Sequence, residues 1–113
     1  MLIPTVLPSG FVLAERHSLD AGRGILADIS VYRHPSGGAL AFASGSPGGI
    51  AGIGTGQLVT IRGHEAEIFR QVALDEFAVT WPEATAYEPC HTYSISASGL
   101  ELAEFIEVLA GVK

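Results

Sequence analysis

The end of the chain carries an apolar stripe at helical spacing, and this stripe constrains the fold more than any other feature. Its apolar positions recur three and four residues apart, on one face of a helix: Leu102, Phe105, Ile106 and Leu109. The opposite face is acidic: Glu101, Glu104 and Glu107. Ser98 and Glu101 have the spacing of a capping box, and Gly111 stands where a C′ glycine ends a helix. One amphipathic helix must bury its stripe against another layer of structure.

The rest of the chain is typical of short strands separated by turn residues. The predicted strands are Phe11–Ala14, Ile25–Arg33, Ala39–Ala43, Gln57–Ile61, Ala66–Val72, Phe77–Trp81 and His91–Ala97. Short turns join consecutive strands in antiparallel fashion. The predicted fold class is therefore α+β: a mostly antiparallel, curved sheet of about six or seven strands packed against one C-terminal helix, in a single domain over residues 1–113. The small side chains of Ala39–Ala43 leave room for another element to pack close to that strand.

A glycine-rich segment, Gly45–Gly56, holds six glycines in twelve residues. Such a segment is costly as a helix or a central strand, so we predict a long loop here. Its glycines lack the order of a phosphate-binding motif, and a strand pattern follows them instead of a helix. We therefore expect no nucleotide and no other cofactor.

The distribution of charge argues against nucleic acid as a partner. The net charge is −6. Residues 1–56 balance three arginines against three acids, whereas residues 57–113 set three basic residues against nine acids. Binding to a phosphate backbone needs clustered basic residues, which this chain lacks. We expect no nucleic-acid binding, and the acidic half is typical of a solvated surface.

Cysteine content and hydrophobicity exclude further classes. Cys90 is the single cysteine, so an intrachain disulfide and a cysteine-rich zinc site are both excluded. Cys90 and His91 are neighbours on a predicted strand, where adjacent side chains point to opposite faces, so they are badly placed to exchange a proton, and we expect Cys90 to be a partly buried free thiol. No apolar run is long enough to span a bilayer, and we expect no membrane insertion. The stretch Met1–Leu7 lacks the basic start of a signal peptide.

The order of short landmarks along the chain resembles a known family. The landmarks are Leu7-Pro8-Ser9-Gly10-Phe11, Val31-Tyr32, Val59 to Ala66, Val79-Thr80-Trp81, Tyr93 to Ser96 and Leu100-Glu101. This order resembles an uncharacterised bacterial domain family found in extracytoplasmic parts of anti-sigma factors and in lipoprotein-carrier-like proteins. The chain departs from the pattern at Glu83–Cys90 and in the glycine-rich segment. The resemblance implies a non-enzymatic sensing or binding module with an extracytoplasmic location, whereas the chain taken as full length is expected in the cytoplasm.

Three aromatic residues, Trp81, Tyr87 and Tyr93, are the predicted binding residues. They bracket the polar segment Glu83–Cys90, and aromatics beside a curved sheet line apolar pockets for small ligands. Plain core packing is the more ordinary explanation of the same residues, because large aromatic side chains dominate protein cores. No catalytic and no metal-ligating residues are assigned.

Three functions are compatible with these patterns. The first is a non-enzymatic module that uses the concave face or an edge strand of the sheet to hold a small apolar ligand or a protein segment. The second is a small enzyme that uses His91 or His64 as a general base, paired with a carboxylate from Glu65, Glu67 or Glu88. The third is a homo-oligomer in which a second copy covers an exposed sheet face or edge. A mean hydropathy of +0.37 favours self-association.

Overall fold

Seven strands form a single open sheet in which every neighbouring pair is antiparallel. The computed structural model describes residues 2–20, 26–45, 52–71, 75–83 and 91–113. The strands are β1 (Val12–Asp20), β2 (Leu26–Arg33), β3 (Ala39–Ser44), β4 (Ile53–Ile61), β5 (His64–Gln71), β6 (Glu76–Glu83) and β7 (His91–Ser98), followed by the helix α1 (Leu102–Ala110). Their order across the sheet is β1-β2-β3-β7-β6-β5-β4, which leaves β1 and β4 at the edges. The predicted α+β class, with an antiparallel sheet and one C-terminal helix, is confirmed.

The hydrophobic core lies between α1 and one face of the sheet, which we call the inner face. The inner face supplies alternate residues of its strands to the core: Leu40, Phe42, Ile61, Ala66, Ile68, Val79, Trp81, Tyr93, Ile95 and Ala97. The helix supplies Phe105, Val108 and Leu109, with Leu102 and Ile106 packed at the margin. The predicted stripe is thus placed correctly, although Val108 was absent from it.

The N-terminal segment completes the inner layer beside the helix. Leu2 is buried, and Ile3 exchanges two backbone hydrogen bonds with Lys113, each 2.8 Å long. The Thr5 N–H also donates to the Gly111 carbonyl at 3.1 Å. Both ends of the described chain are therefore fastened together on the same side of the sheet.

The predicted helix start is wrong. Ser98 pairs with Ala39 on one side and Glu76 on the other, so it belongs to β7. Gly99, at φ +73°, turns the chain out of the sheet. The helix then begins at Leu102 with Glu101 as N-cap, and the Glu101 N–H donates to the Glu104 carboxylate at 3.1 Å. At the other end Gly111 is the C-cap at φ −96°, and so is not a left-handed C′ glycine.

Several predicted strand boundaries also differ from the structure. The first strand continues to Asp20, because an edge strand with both faces in solvent needs no apolar alternation. The predicted glycine loop is wrong over Ile53–Gly56, which belongs to β4; residues 46–51 lie outside the described residues. That edge strand accommodates its glycines through a register shift between Gly54 and Leu58.

The turns are the part of the backbone where glycine is required. Arg62 and Gly63 join β4 to β5 with φ of +53° and +82°, a two-residue turn with positive φ at both positions. At Gly99 an added Cβ would stand 2.9 Å from the Cα of Gly38, too close for any side chain. The end of β7 is therefore pressed against the β2–β3 turn.

We expect Gly99→Ala to destabilise the protein by about 2–3 kcal/mol, because the close approach to Gly38 adds to the strain of a left-handed residue. Gly63→Ala is the matched control. Its φ is similar, but an added Cβ meets nothing within 4 Å, so it carries the conformational strain alone, about 1 kcal/mol. Urea denaturation of both variants gives the comparison. Equal losses would show that β7 does not press on the β2–β3 turn.

Candidate functional site

The predicted aromatic residues Trp81 and Tyr93 contact each other. They are cross-strand partners on β6 and β7, and their rings stack with centroids 5.6 Å apart and an interplanar angle of 16°. Both face the core, with exposed fractions of 2% and 7%. Tyr87 lies outside the described residues. A role for these three residues in ligand binding stays a prediction, while the packing of Trp81 and Tyr93 against each other is structural.

A carboxylate beside this pair ties the end of the sheet together. Glu83 accepts a hydrogen bond of 2.7 Å from the indole N–H of Trp81. Its oxygens also lie 3.6 Å from Nε of Arg62 and 3.8 Å from Nε2 of His64. The Arg62 guanidinium sits 5.0 Å from the ring centroid of Tyr93. The turn between β4 and β5 is thereby held against the end of β6.

The contacts of Glu83 also show how the residues predicted for general-base catalysis are arranged. His64 contacts Glu83, whereas Glu65 and Glu67 project from β5 on the other face of the sheet, because side chains alternate along a strand. Glu88, Cys90 and the side chain of His91 lie outside the described residues. Glu83 is only 15% exposed and already faces three donor groups. The arrangement suits a structural tie.

Two small clefts lie beside the helix, away from the Glu83 carboxylate. One, of about 170 Å³, lies between Val6–Ser9 and the helix residues Glu104, Glu107 and Val108. The other, of about 130 Å³, is lined by residues that include Phe11, His34 and Glu104. Sites for drug-sized ligands usually enclose roughly 300–1,000 Å³. Both clefts are therefore too small to enclose such a ligand.

His34 in the second cleft serves the turn that carries it. Its Nδ1 accepts the backbone N–H of Ser36 at 3.0 Å, and the Ser36 hydroxyl lies 2.6 Å from the same nitrogen. A nitrogen that accepts a backbone N–H has its lone pair engaged, so it is poorly placed to remove a proton from Ser36. This serine–histidine contact is a turn cap.

The face of the sheet opposite the core is also open among the described residues, and we call it the outer face. The core takes its strand residues from the inner face alone, and no described helix or terminal segment packs on the outer one. One row of cross-strand partners runs over all seven strands and is called the middle row: Glu15, Val31, Ala41, Ser96, Ala78, Phe69 and Gly54. A parallel row contains His17, Ile29, Ala43, Ser94 and Thr80.

The side chains at the centre of the outer face are small, uncharged and mostly half-buried. Across β2, β3, β7 and β6 these two rows hold only Ile29, Val31, Ala41, Ala43, Ser94, Ser96, Thr80 and Ala78. Their side chains are partly shielded by their neighbours, and Ala78 is 2% exposed. A sheet face turned to water normally carries polar or charged side chains in alternation with the buried ones. This face is therefore suited to contact with another surface.

Charged groups on the outer face are separated by sign. On β1 and β2 they are Glu15, His17 and Arg33, with Arg33 paired to Glu15 at 3.2 Å. On β5 and β6 they are all acidic: Glu65, Glu67 and Glu76. The outer face of β1 and β2 is therefore nearly neutral and includes the basic groups, whereas the outer face of β5 and β6 is acidic.

The homo-oligomer alternative predicted an exposed sheet face, but the residues that form the outer face were not assigned from the sequence. Small residues in Ala39–Ala43 gave one signal, since they predicted the close packing of another element. The matching small residues of β7 lie more than fifty positions later in the chain, and the β3–β7 pairing brings the two sets together.

Comparisons with known proteins identify no relative. No family model, no curated protein and no solved structure matches the chain. Within the described ranges no helix is long and apolar enough to cross a membrane, and no three His, Cys, Asp or Glu side chains cluster as metal ligands do.

Proposed function

We propose that this protein is a non-enzymatic interaction module that binds a protein surface through the outer face of its sheet. One observation carries the proposal: the core residues of the inner face pack against α1 and the N-terminal segment, while the described residues leave the uncharged centre of the outer face open. The resemblance to sensing or binding domains implies the same class of function.

The shape of the candidate surfaces favours a protein partner over a small ligand. Small ligands bind in concave sites, and the clefts beside the helix hold only about 170 and 130 Å³. The face of a seven-stranded sheet is broad, and a broad surface is what a protein partner can cover. Removing such a face from water also gives a non-directional gain that needs no specific pocket.

A photo-crosslinking amino acid placed on the outer face tests the proposal in cells that express the protein. At Thr80, which is half-buried on the outer face, we expect crosslinking to a protein. The control position is Glu107, which is exposed on the helix on the other side of the sheet. An adduct from position 80 and none from position 107 supports the proposal. Expression without any adduct at position 80 contradicts it.

The runner-up is a small enzyme with His64 as general base, because His64 is 43% exposed and contacts a carboxylate. This alternative predicts turnover of activated ester probes that is lost in His64→Gln. The interaction module predicts that any background hydrolysis is the same in the wild type and in His64→Gln.

A further inference from the structure

We infer that the partner on the outer face is a second copy of this chain, packed face to face about a two-fold axis parallel to β7. The inference rests on the proposed function and specifies its partner. It joins three properties of the outer face: the order of its strands, its area and the separation of its charges.

The strand order makes the outer face match its own copy. β7 is the central strand, with three strands on each side. Rotation about an axis along β7 puts β3 of one copy opposite β6 of the other, and β2 opposite β5. In the middle row Ala41 then faces Ala78, Val31 faces Phe69, and Ser96 faces Ser96 across the axis. Small residues meet at the centre, and larger apolar residues meet on both flanks.

The area of the face is sufficient for a stable dimer. Seven strands at about 4.8 Å spacing and three rows of side chains cover roughly 29 by 20 Å, or about 600 Å² in projection. Two copies then bury at least about 1,200 Å² together, the lower bound for specific protein interfaces. Two sheets packed in this way form a β-sandwich, with the helices on the outside.

The charges decide between the two possible axes. An axis perpendicular to the strands places β5 and β6 against the same strands of the other copy, so that Glu65, Glu67 and Glu76 approach one another. Like charges brought together at an interface are unfavourable. The axis along β7 instead brings Arg33 of one copy beside Glu76 of the other, and His17 beside Glu67. It pairs the acidic side of each face with the side that holds the basic groups.

Sedimentation equilibrium of the full chain tests whether the partner is a second copy of this chain. We expect the wild type to have twice the mass of one chain at micromolar concentrations. Ala41→Arg places a charge near the centre of the interface and should weaken association roughly 100-fold or more. Ala110→Arg is the matched control, because Ala110 is exposed on the helix and should leave association unchanged. Circular dichroism checks that each variant is folded, and Ser94→Asp replaces Ala41→Arg if that variant unfolds.

Charge reversal tests the axis. Arg33→Glu alone and Glu76→Lys alone should each weaken association roughly tenfold, because each sets like charges against one another. The double variant should regain most of the wild-type affinity. If the affinity losses of the two single variants add up in the double variant, the axis along β7 is overturned.

The remaining outcomes separate this inference from the proposed function. A wild type that stays monomeric overturns the second copy as partner, as does a dimer that Ala41→Arg leaves intact. If position 80 then still crosslinks to a different protein in cells, the interaction module stands with another partner. If the monomer crosslinks to nothing, both proposals fail.

Discussion

Replacing Phe105 by alanine is expected to lower the free energy of unfolding by about 3–5 kcal/mol. Phe105 has no exposed surface, and its ring stacks on Phe77 of β6 with centroids 6.2 Å apart. Truncation removes this contact between α1 and β6 and leaves a cavity in the core. Since domains of this size have total stabilities of about 5–15 kcal/mol, the variant should be only marginally folded.

Glu107→Ala is the control for this prediction, because Glu107 is exposed on the same helix and should change stability by less than about 0.5 kcal/mol. Guanidinium denaturation measures both variants. All proteins are compared at one concentration, because association adds to the apparent stability. A loss below about 1 kcal/mol for Phe105→Ala would mean that the helix does not rest on the sheet.

The second large effect is expected at Trp81. Trp81→Ala should cost about 3–5 kcal/mol, because it removes a buried side chain that stacks on Tyr93 and donates to Glu83 at 2.7 Å. Trp81→Phe retains most of the buried area and loses the hydrogen bond, so about 1–2 kcal/mol is expected. Leu13→Ala, at a position 51% exposed on the inner face of β1, is the control and should have little effect.

The Trp81 series separates core packing from the predicted binding role. Chemical denaturation followed by circular dichroism suits all four proteins, because Trp81 is the only tryptophan and its fluorescence is lost in the variants. If Trp81 is a core residue, Trp81→Ala is the least stable protein, Trp81→Phe is intermediate and the wild type is the most stable. A Trp81→Ala protein as stable as the wild type would instead mean that this ring is available to a ligand.

The sequence determined the fold class because local patterns were sufficient for it. Alternation in 25–33 and the stripe of Phe105, Ile106 and Leu109 each point to one element with one buried face. The ends of the strands were harder to predict from the sequence than the strands themselves. The edge strand β1 continues through charged residues, and β4 contains glycines, because edge strands satisfy weaker constraints than central ones.

The proposed interaction surface was less predictable, because it depends on pairing between distant segments. Ala41 and Ser96 are neighbours only because β7 pairs with β3, and Ser96 and Ala78 only because β7 also pairs with β6. No local pattern specifies that β7 enters between two earlier strands. The same applies to the Glu83 cluster, in which Arg62 and His64 come from a different hairpin than their carboxylate partner.

Carbene footprinting of the full chain at several concentrations tests most directly the claim that two copies associate through the outer face. Photolysed diazirine labels accessible side chains, and mass spectrometry locates the label. As the concentration rises from nanomolar to high micromolar, we expect labelling of the segments 29–31, 41–43 and 94–96 to fall together, while the exposed side of α1 keeps its labelling. Labelling that is unchanged across this range, or that falls on α1 instead, would contradict the account.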